Sequence, residues 1–386
     1  MSWRDPCRTH GWNLGFENDA NHNSKPIRIR EVRTYKYLRV WICVRGRTFS
    51  THWGKMQAKG KRIGGILRNV SRGGLNSSKC ALEGWEKVGI PSLMYASEIL
   101  PWPVTMGRAL DREQNRMGRF LLGTSKGACI EGIRGLLGWW GMEQRANYMF
   151  LVYAKRFAFT DDCWGKIVWD GMVMENEQAG VWRKRVQDLC NKYDIEWNRD
   201  DLTEGIWKKY VKCQIEEWVR NDWVVSAGAK NSLRYFACSG EDFGKIPYLD
   251  GSWDSKALAR LQIGDILTAG KRRHLNFLDR GECLCCKTGA QDTLEHAILD
   301  CEKFRVEREK VLGEGGREWP RERSIRTLVG LEKNEVTGWI DRLRWAGNVV
   351  AMRREAWRER KLEEERCTNT IYVEIVIDNT QGEGRR

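Results

Sequence analysis

Residues 105–122 read TMGRALDREQNRMGRFLL, and this stretch decides the fold class. Met106, Leu110, Met117, Phe120 and Leu121 fall on one side of a helical wheel, and Arg108, Arg112, Arg116 and Arg119 fall opposite. A strand would alternate at every second residue. A split repeating at three and four residues belongs to an amphipathic helix with one face in a core. The pattern recurs on both sides. Residues 50–70 carry Met56, Ile63, Ile66, Leu67 and Val70 on one face, with Lys61, Arg68 and Arg72 on the other, and Gly73-Gly74 stops the run. Helices are expected over 78–88 and in PSLMYASEIL, which Ile90-Pro91 opens and Pro101 and Pro103 end. Another covers 142–158, with Met142, Ala146, Met149, Phe150, Tyr153 and Phe157 inward. Further helical stretches lie near 163–176, 180–193 and 202–221. KALARLQIGDIL forms a short helix, and 332–366 a charged helix pair. Only REVRTYKYLRVWICV, from Arg30 to Val44, reads as a strand, turning at Arg45-Gly46, while Ile371–Ile377 alternates near the end. The fold class is mainly α with a short N-terminal β-hairpin.

The composition sets bounds on function. The chain has 386 residues, 41% of them hydrophobic, enough for two or three domains with real cores. It has no run of eighteen apolar residues for a membrane span and no apolar leader, so an intracellular site, nuclear or cytoplasmic, is expected. Its net charge of +14 favours anionic partners, nucleic acid first. Twenty tryptophans exceed ordinary usage and are expected mostly in the core. Thirteen cysteines, an odd number scattered through a chain with no secretory signal, point to free thiols and a metal set.

That set lies in GECLCCKTGAQDTLEHAILDCEKF, residues 281–304. Cys283, Cys286, His296 and Cys301 have the spacing C-x2-C-x9-H-x4-C, which suits one tetrahedral Zn²⁺. The two cysteines can form a tight knuckle, and TLEHAILDC reads as helix, so His296 and Cys301 project to roughly one side. Cys285 is a spare thiol that could replace either neighbour. With four protein ligands the site is closed and structural, since no position is left for water.

Several segments, taken in order, resemble the C-terminal portion of non-LTR retrotransposon reverse transcriptases. YKYLRVWI (Tyr35–Ile42) is similar to the family's YKYLGV-type segment, with Arg39 where glycine is usual. KMQAKGKRIGGILR, IPSLMYASEILPW (similar to the "pslLYgaEiW" motif), LDREQNRMGRFLLG and GLLGWWGMEQR follow. LQIGDILTAGKRRHL resembles the basic helix that precedes the family's cysteine–histidine module. The resemblance spans roughly residues 30–330. The polar residues at the start read as a flexible arm over 1–29, and the resemblance implies a thumb-like helical domain over 30–160 and a helical connector over 161–250. A zinc-knuckle module over 251–330 and charged helices with a tail over 331–386 complete the division.

The same resemblance implies where polymerase chemistry would come from, namely palm carboxylates holding two metal ions. The palm should precede Tyr35, where 34 residues stand. Phe159-Thr160-Asp161-Asp162 imitates the family's FADD, but it follows a helical pattern and comes after the thumb-like segment, so it reads as a polar helix end. No catalytic residue is therefore expected, and the chain is read as a non-enzyme. The leading expectation is a fragment or remnant that binds RNA or DNA. Lys61, Arg68, Arg72, Arg108, Arg112, Arg116 and Arg119 would meet phosphates, and Lys271, Arg272, Arg273 and Lys287 would rim the zinc module. The alternative is a zinc-containing helical protein-interaction module.

Overall fold

A computed structural model describes residues 34–43, 49–71, 77–100, 102–158, 177–198, 202–236, 243–244, 246, 248–273, 281–313, 319–331 and 339–382. The chain divides into two compact units, Met1–Met56 and Gln57–Arg386. Among the described residues the architecture is mainly α, with one two-stranded sheet.

In the first unit, β1 (Thr34–Tyr37) pairs antiparallel with β2 (Val40–Cys43), Tyr37 opposite Val40. The turn comes at Leu38-Arg39, inside the stretch expected as one strand, and Arg45-Gly46 lie outside the described residues. Leu38 and Arg39 have φ of 44° and 66°. A two-residue hairpin loop needs left-handed backbone at both positions, which is why glycine or asparagine is favoured there. Arg39 thus carries the strain that the glycine of the resembled segment would avoid. Trp41 stacks beneath two ammonium groups, Lys36 at 5.7 Å and Lys55 at 5.4 Å.

Helix α1 (Ser50–Val70) matches its expected bounds, and its expected face holds in part: Met56 is buried and Ile63 and Leu67 pack against the core. Ile66 and Val70 are exposed, and the inward side is built on Gly60 and Gly64, which let the helix lie close against Leu93 and Trp85. Close backbone approach at the glycines narrows the inward face, which leaves Ile66 and Val70 outside it. Arg72 and Gly73-Gly74 lie outside the described residues. Next come α2 (Ser77–Gly84), continuing as a π-helical turn Trp85–Gly89, and α3 (Ile90–Leu93). PSLMYASEIL is helical only in its first turn, because Ala96, at φ 65°, turns the chain out of the helix.

One core gathers the middle of the chain. Helices α4 (Val104–Leu122), α5 (Ile130–Leu137) and α6 (Met142–Ala158) pack with α7 (Glu177–Tyr193) and α8 (Glu204–Gly228). The α4 stripe lies as its spacing requires, with Leu110, Met117 and Leu121 fully buried. Gly123, left-handed at φ 61°, closes the helix by donating its N–H to the Arg119 and Phe120 carbonyls. Helix α8 buries Trp207, Val211, Ile215, Val219, Trp223 and Ala227, one residue per turn at every fourth position. This core draws on residues from both sides of position 160, so α6 of the thumb-like stretch and α8 of the connector share one interior. Residues 159–176, including Asp161 and Asp162, lie outside the described set.

A second core follows. Helix α9 (Trp253–Gln262) is buried from Ser255 through Gln262 apart from half-buried Lys256, and it serves both cores, giving Ala259 to the first and Ala257, Leu258 and Leu261 to the second. Then come α10 (Ala269–Arg273), the cysteine-bearing loop, α11 (Arg305–Leu312), α12 (Arg321–Leu328) and α13 (Trp339–Gly382). Helix α13 runs unbroken through Ile371–Ile377, so that alternating stretch is helix. It buries Trp345, Ala346, Val349 and Val350 against α9. At the crossing, a Cβ on Gly347 would overlap the Asp254 carboxylate, so a larger residue there would have to displace that side chain.

Candidate metal centre

The loop after α10 folds back on itself. Cys283 donates its N–H to the Ala290 carbonyl at 2.8 Å, and Asp292 donates to the Gly281 carbonyl at 2.7 Å. A single antiparallel bridge joins Glu282 to Gln291. The chain turns back through Lys287 at φ 54° and Gly289 at φ 76°, placing Cys286 on the turn and Cys283 on the arm before it. Thr293 then starts a helical turn, its Oγ1 accepting from the His296 N–H at 3.0 Å.

That turn is π-helical over His296–Asp300, closed by the Cys301 N–H donating to the His296 carbonyl at 2.7 Å. This explains the spacing of the second ligand pair. In an α-helix, residues five apart point about 140° away from each other. An i→i+5 hydrogen bond widens the turn until residues i and i+5 become neighbours. The sequence predicted a helix here, and the wider turn is what lets His296 and Cys301 face one point.

The donor atoms of Cys283, Cys286, His296 and Cys301 all lie within 4.8 Å of one another and could hold a metal ion. Cys283 Sγ is 3.9 Å from Cys301 Sγ, and Cys286 Sγ is 3.4 Å from His296 Nε2. A tetrahedron with metal–sulfur bonds of about 2.3 Å and metal–nitrogen bonds of about 2.0 Å has edges of about 3.8 Å (S to S) and about 3.5 Å (S to N). Both observed separations fit those edges. Cys283, His296 and Cys301 are buried, and Cys286 is half-buried. Cys285, the rival ligand, stands outside the converging four and hydrogen-bonds to Cys283. Hydrogen bonds from Cys285 first, and from Cys301 second, hold the Cys283 thiol far below the ordinary range. The Cys285 and Cys301 thiols are pushed up because each spends its proton on Cys283 and is buried.

Sequence reading missed the frame behind the ligands. Buried Asp292 is gripped by the guanidinium groups of Arg272 and Arg353. Arg272 also donates to the Glu282 carbonyl at 2.9 Å, and Arg353 donates twice to the Leu267 carbonyl, at 2.9 and 3.1 Å. Arg353 Nη1 reaches 4.0 Å from Cys283 Sγ. Arg308 donates to the Cys301 carbonyl at 3.1 Å. Loop, α10, α11 and α13 are thus tied by charge-assisted bonds. Asp292 sits between the two ligand pairs, but no period or spacing marks it, and Arg353 lies 52 residues beyond Cys301 in sequence.

This frame corrects the expected basic rim. Arg272 is buried and faces inward, and Lys271 is engaged by buried Asp265. Arg273 and Lys287 are exposed. Among the helix cations, Lys61, Arg108, Arg112 and Arg116 are exposed, and Arg116 pairs with buried Glu113. Arg68 and Arg119 are only half-exposed, and Arg119 Nε is buried without a hydrogen bond. Arg68 Nη1 folds back toward Gly64. No described helix is long and apolar enough to cross a membrane. Comparison of the chain with protein-family models, with curated proteins and with solved structures finds no significant match.

Proposed function

We propose that this chain binds nucleic acid, RNA or DNA, through basic helix faces, and that a structural Zn²⁺ on Cys283, Cys286, His296 and Cys301 holds its second core. It would correspond to the thumb, connector and zinc module of the resembled retrotransposon polymerases. The reading assigns it binding rather than catalysis. Zinc is the metal that three thiolates and one imidazole in a small tetrahedron suit best, and all four positions are protein donors.

The observation that carries the binding role is α1. Its twenty-one residues hold Lys55, Lys59, Lys61, Arg62 and Arg68 and not one carboxylate. Surface helices that serve only as solvated faces usually interleave both signs and gain from i,i+4 pairs. Lys59, Lys61 and Arg62 are exposed, and none forms an ion pair among the described residues. On α4, Arg108 and Arg112 are exposed as well, while the carboxylates of that helix are occupied: Asp111 holds Arg134 at 2.9 Å and Glu113 holds Arg116. Lys59, Lys61 and Arg62 on α1 and Arg108 and Arg112 on α4 therefore present positive charge that no ion pair among the described residues neutralises. Such contacts position a phosphate backbone and carry no sequence information.

The test is salt dependence. Each phosphate contact on a single strand contributes about 0.7 to the slope of log affinity against log salt. The triple variant Lys59→Gln, Lys61→Gln, Arg62→Gln should lower that slope by about 2 and leave the thermal unfolding curve in place. An unchanged slope removes α1 from the interface. No binding of RNA or DNA at low salt favours the protein-interaction alternative.

A further inference from the structure

We infer that the cleft between α3 and α6 receives a single unstacked nucleobase, so that the chain reads bases as well as phosphates. The inference rests on the nucleic-acid reading above. The cleft has a volume of about 630 Å³ and lies within the first core's surface, walled by the turn after α3, the Gly138–Trp140 corner, α6 and one side of α8. Small-molecule sites fall in the range of roughly 300–1,000 Å³.

Its chemistry is that of a neutral heterocycle's partner. Tyr95, on the outer turn, is 38% exposed, and Tyr148 is half-buried and edge-on to Trp140, with ring centroids 6.2 Å apart. These rings offer stacking surface that every base can use. The charged lining is mixed: Arg145 and Lys212 stand with Glu86, Glu98 and Glu216. A lone phosphate entering here would meet three carboxylates. A base edge presents N–H donors and carbonyl or ring-nitrogen acceptors side by side, which suits both signs at once.

Two side chains in the lining hold hydrogen-bonding capacity that the protein does not use. Glu98 Oε2 is a buried acceptor without a donor, and Arg145 Nε is a buried donor without an acceptor. Arg145 makes no ion pair among the described residues. Burial brings its pKa down to about 10, and Glu86 and Asp111 oppose that only through space. Buried polar groups are nearly always satisfied, so each of these two atoms calls for a partner. The backbone supports this. Ala96 takes a left-handed φ of 65° between Tyr95 and Glu98, and strained backbone of this kind collects at binding sites.

The experiment measures binding of the full chain to a 12-nucleotide single-stranded RNA and to a strand of the same length whose central nucleotides lack bases. Free adenosine and free uridine form a second arm. Stacking of one base predicts about 5- to 160-fold tighter binding of the intact strand. Tyr95→Ala should erase most of that preference while leaving affinity for the abasic strand unchanged, and Glu98→Gln should reduce it. Both changes are on the outer turn, and circular dichroism confirms that each variant folds. Equal, salt-sensitive affinity for the two strands overturns the base site and leaves the phosphate grip standing. A preference for the intact strand that survives both variants also overturns it, by placing the base contact elsewhere. Tyr95-dependent nucleoside binding without strand binding upholds the base site and sinks the nucleic-acid reading. If neither strand nor nucleoside binds, both fall.

Discussion

The two cores of the larger unit are held by different physics. The first gathers its stability from area: Trp85, Trp207 and Trp223 are buried with the aliphatic stripes of α4 to α8, and most of its close ring pairs meet edge-on or tilted. Even its buried cation, Lys155, is absorbed by aromatic faces, with Trp197 and Trp207 rings 5.1 and 5.2 Å away. The second core has fewer large side chains and counts two cysteines, Cys283 and Cys301, among its buried apolar groups. Where the first relies on non-directional burial, the second relies on directional bonds: four donors around a point and a carboxylate between two guanidinium groups. A burial-driven core tolerates loss of one contact by repacking. A core of directed bonds fails in larger steps, because each broken bond strands a buried polar group.

The sharpest way to break the comparison is to remove the zinc proposed for these four donors. Structural zinc sites contribute apparent binding energies of about 10–16 kcal/mol in zinc-finger peptides near neutral pH, more than the whole stability of many domains. Cys301→Ser, or chelator, should therefore release the second core, residues 257–350, while residues 104–158 and 204–228 keep their protection. Hydrogen exchange followed by mass spectrometry reads the two regions separately. Uniform loss across both cores would show that they are one cooperative block. No loss in either, in protein carrying no zinc, would mean that the four residues pack without an ion. Lowering the pH should have the same selective effect, because protons compete with the metal for thiolate and imidazole.

The next effect is smaller and lies behind the ligands. Replacing Asp292 with alanine takes away the carboxylate that buried Arg272 and Arg353 share, and breaking a buried pair in this way costs about 3–5 kcal/mol. The loss should appear in urea unfolding of the metal-loaded protein, and zinc affinity should fall as well, since the frame fixes the loop that carries Cys283 and Cys286. The double variant Asp292→Ala, Arg353→Met should recover part of the loss. An additive double variant would show that the guanidinium and carboxylate do not act together.

The two cores also differ in how far the sequence disclosed them. Helical periodicity placed α4 and α6 within a residue or so of their bounds, because each buries one continuous face. On α1 it held for Met56, Ile63 and Leu67 but not for Ile66 and Val70, where glycines make the close contact instead, since hydropathy carries no sign of close backbone approach. Helix α5 drew no expectation as an element, being only eight residues long and flanked by glycines. At the metal centre the four donors were legible because coordination chemistry restricts residue type and spacing together. The π-helical turn that aims two of them, and Asp292 with Arg353 behind them, left no such mark. A buried ion pair is made by three-dimensional proximity, and Arg353 sat inside what read as an exposed charged helix pair. For the same reason Arg272 looked like a surface cation in a KRR run and proved to face inward.

The last prediction sharpens the comparison from the side of the first core. Gly135 on α5 faces Trp223 of α8, and a Cβ added there would overlap the indole ring. The same indole donates its N–H to the Glu131 carbonyl at 2.8 Å, so it cannot swing aside without stranding a buried donor. Gly135→Ala therefore sets two effects against each other. Alanine raises helix propensity by about 1 kcal/mol, and overpacking costs about 1–3 kcal/mol. The rigid ring makes the second win, giving a net loss of roughly 1 kcal/mol that urea unfolding can resolve. The loss should register in hydrogen exchange on α5 and α8 and leave zinc affinity unchanged. Pairing the change with Trp223→Phe separates the causes: the smaller ring relieves the clash but gives up the Glu131 bond. If Gly135→Ala is less damaging in the Trp223→Phe background than in the native one, steric contact sets the α5–α8 distance; if it is equally damaging, the helices already have room and the first core is less tightly fitted than its ring packing indicates.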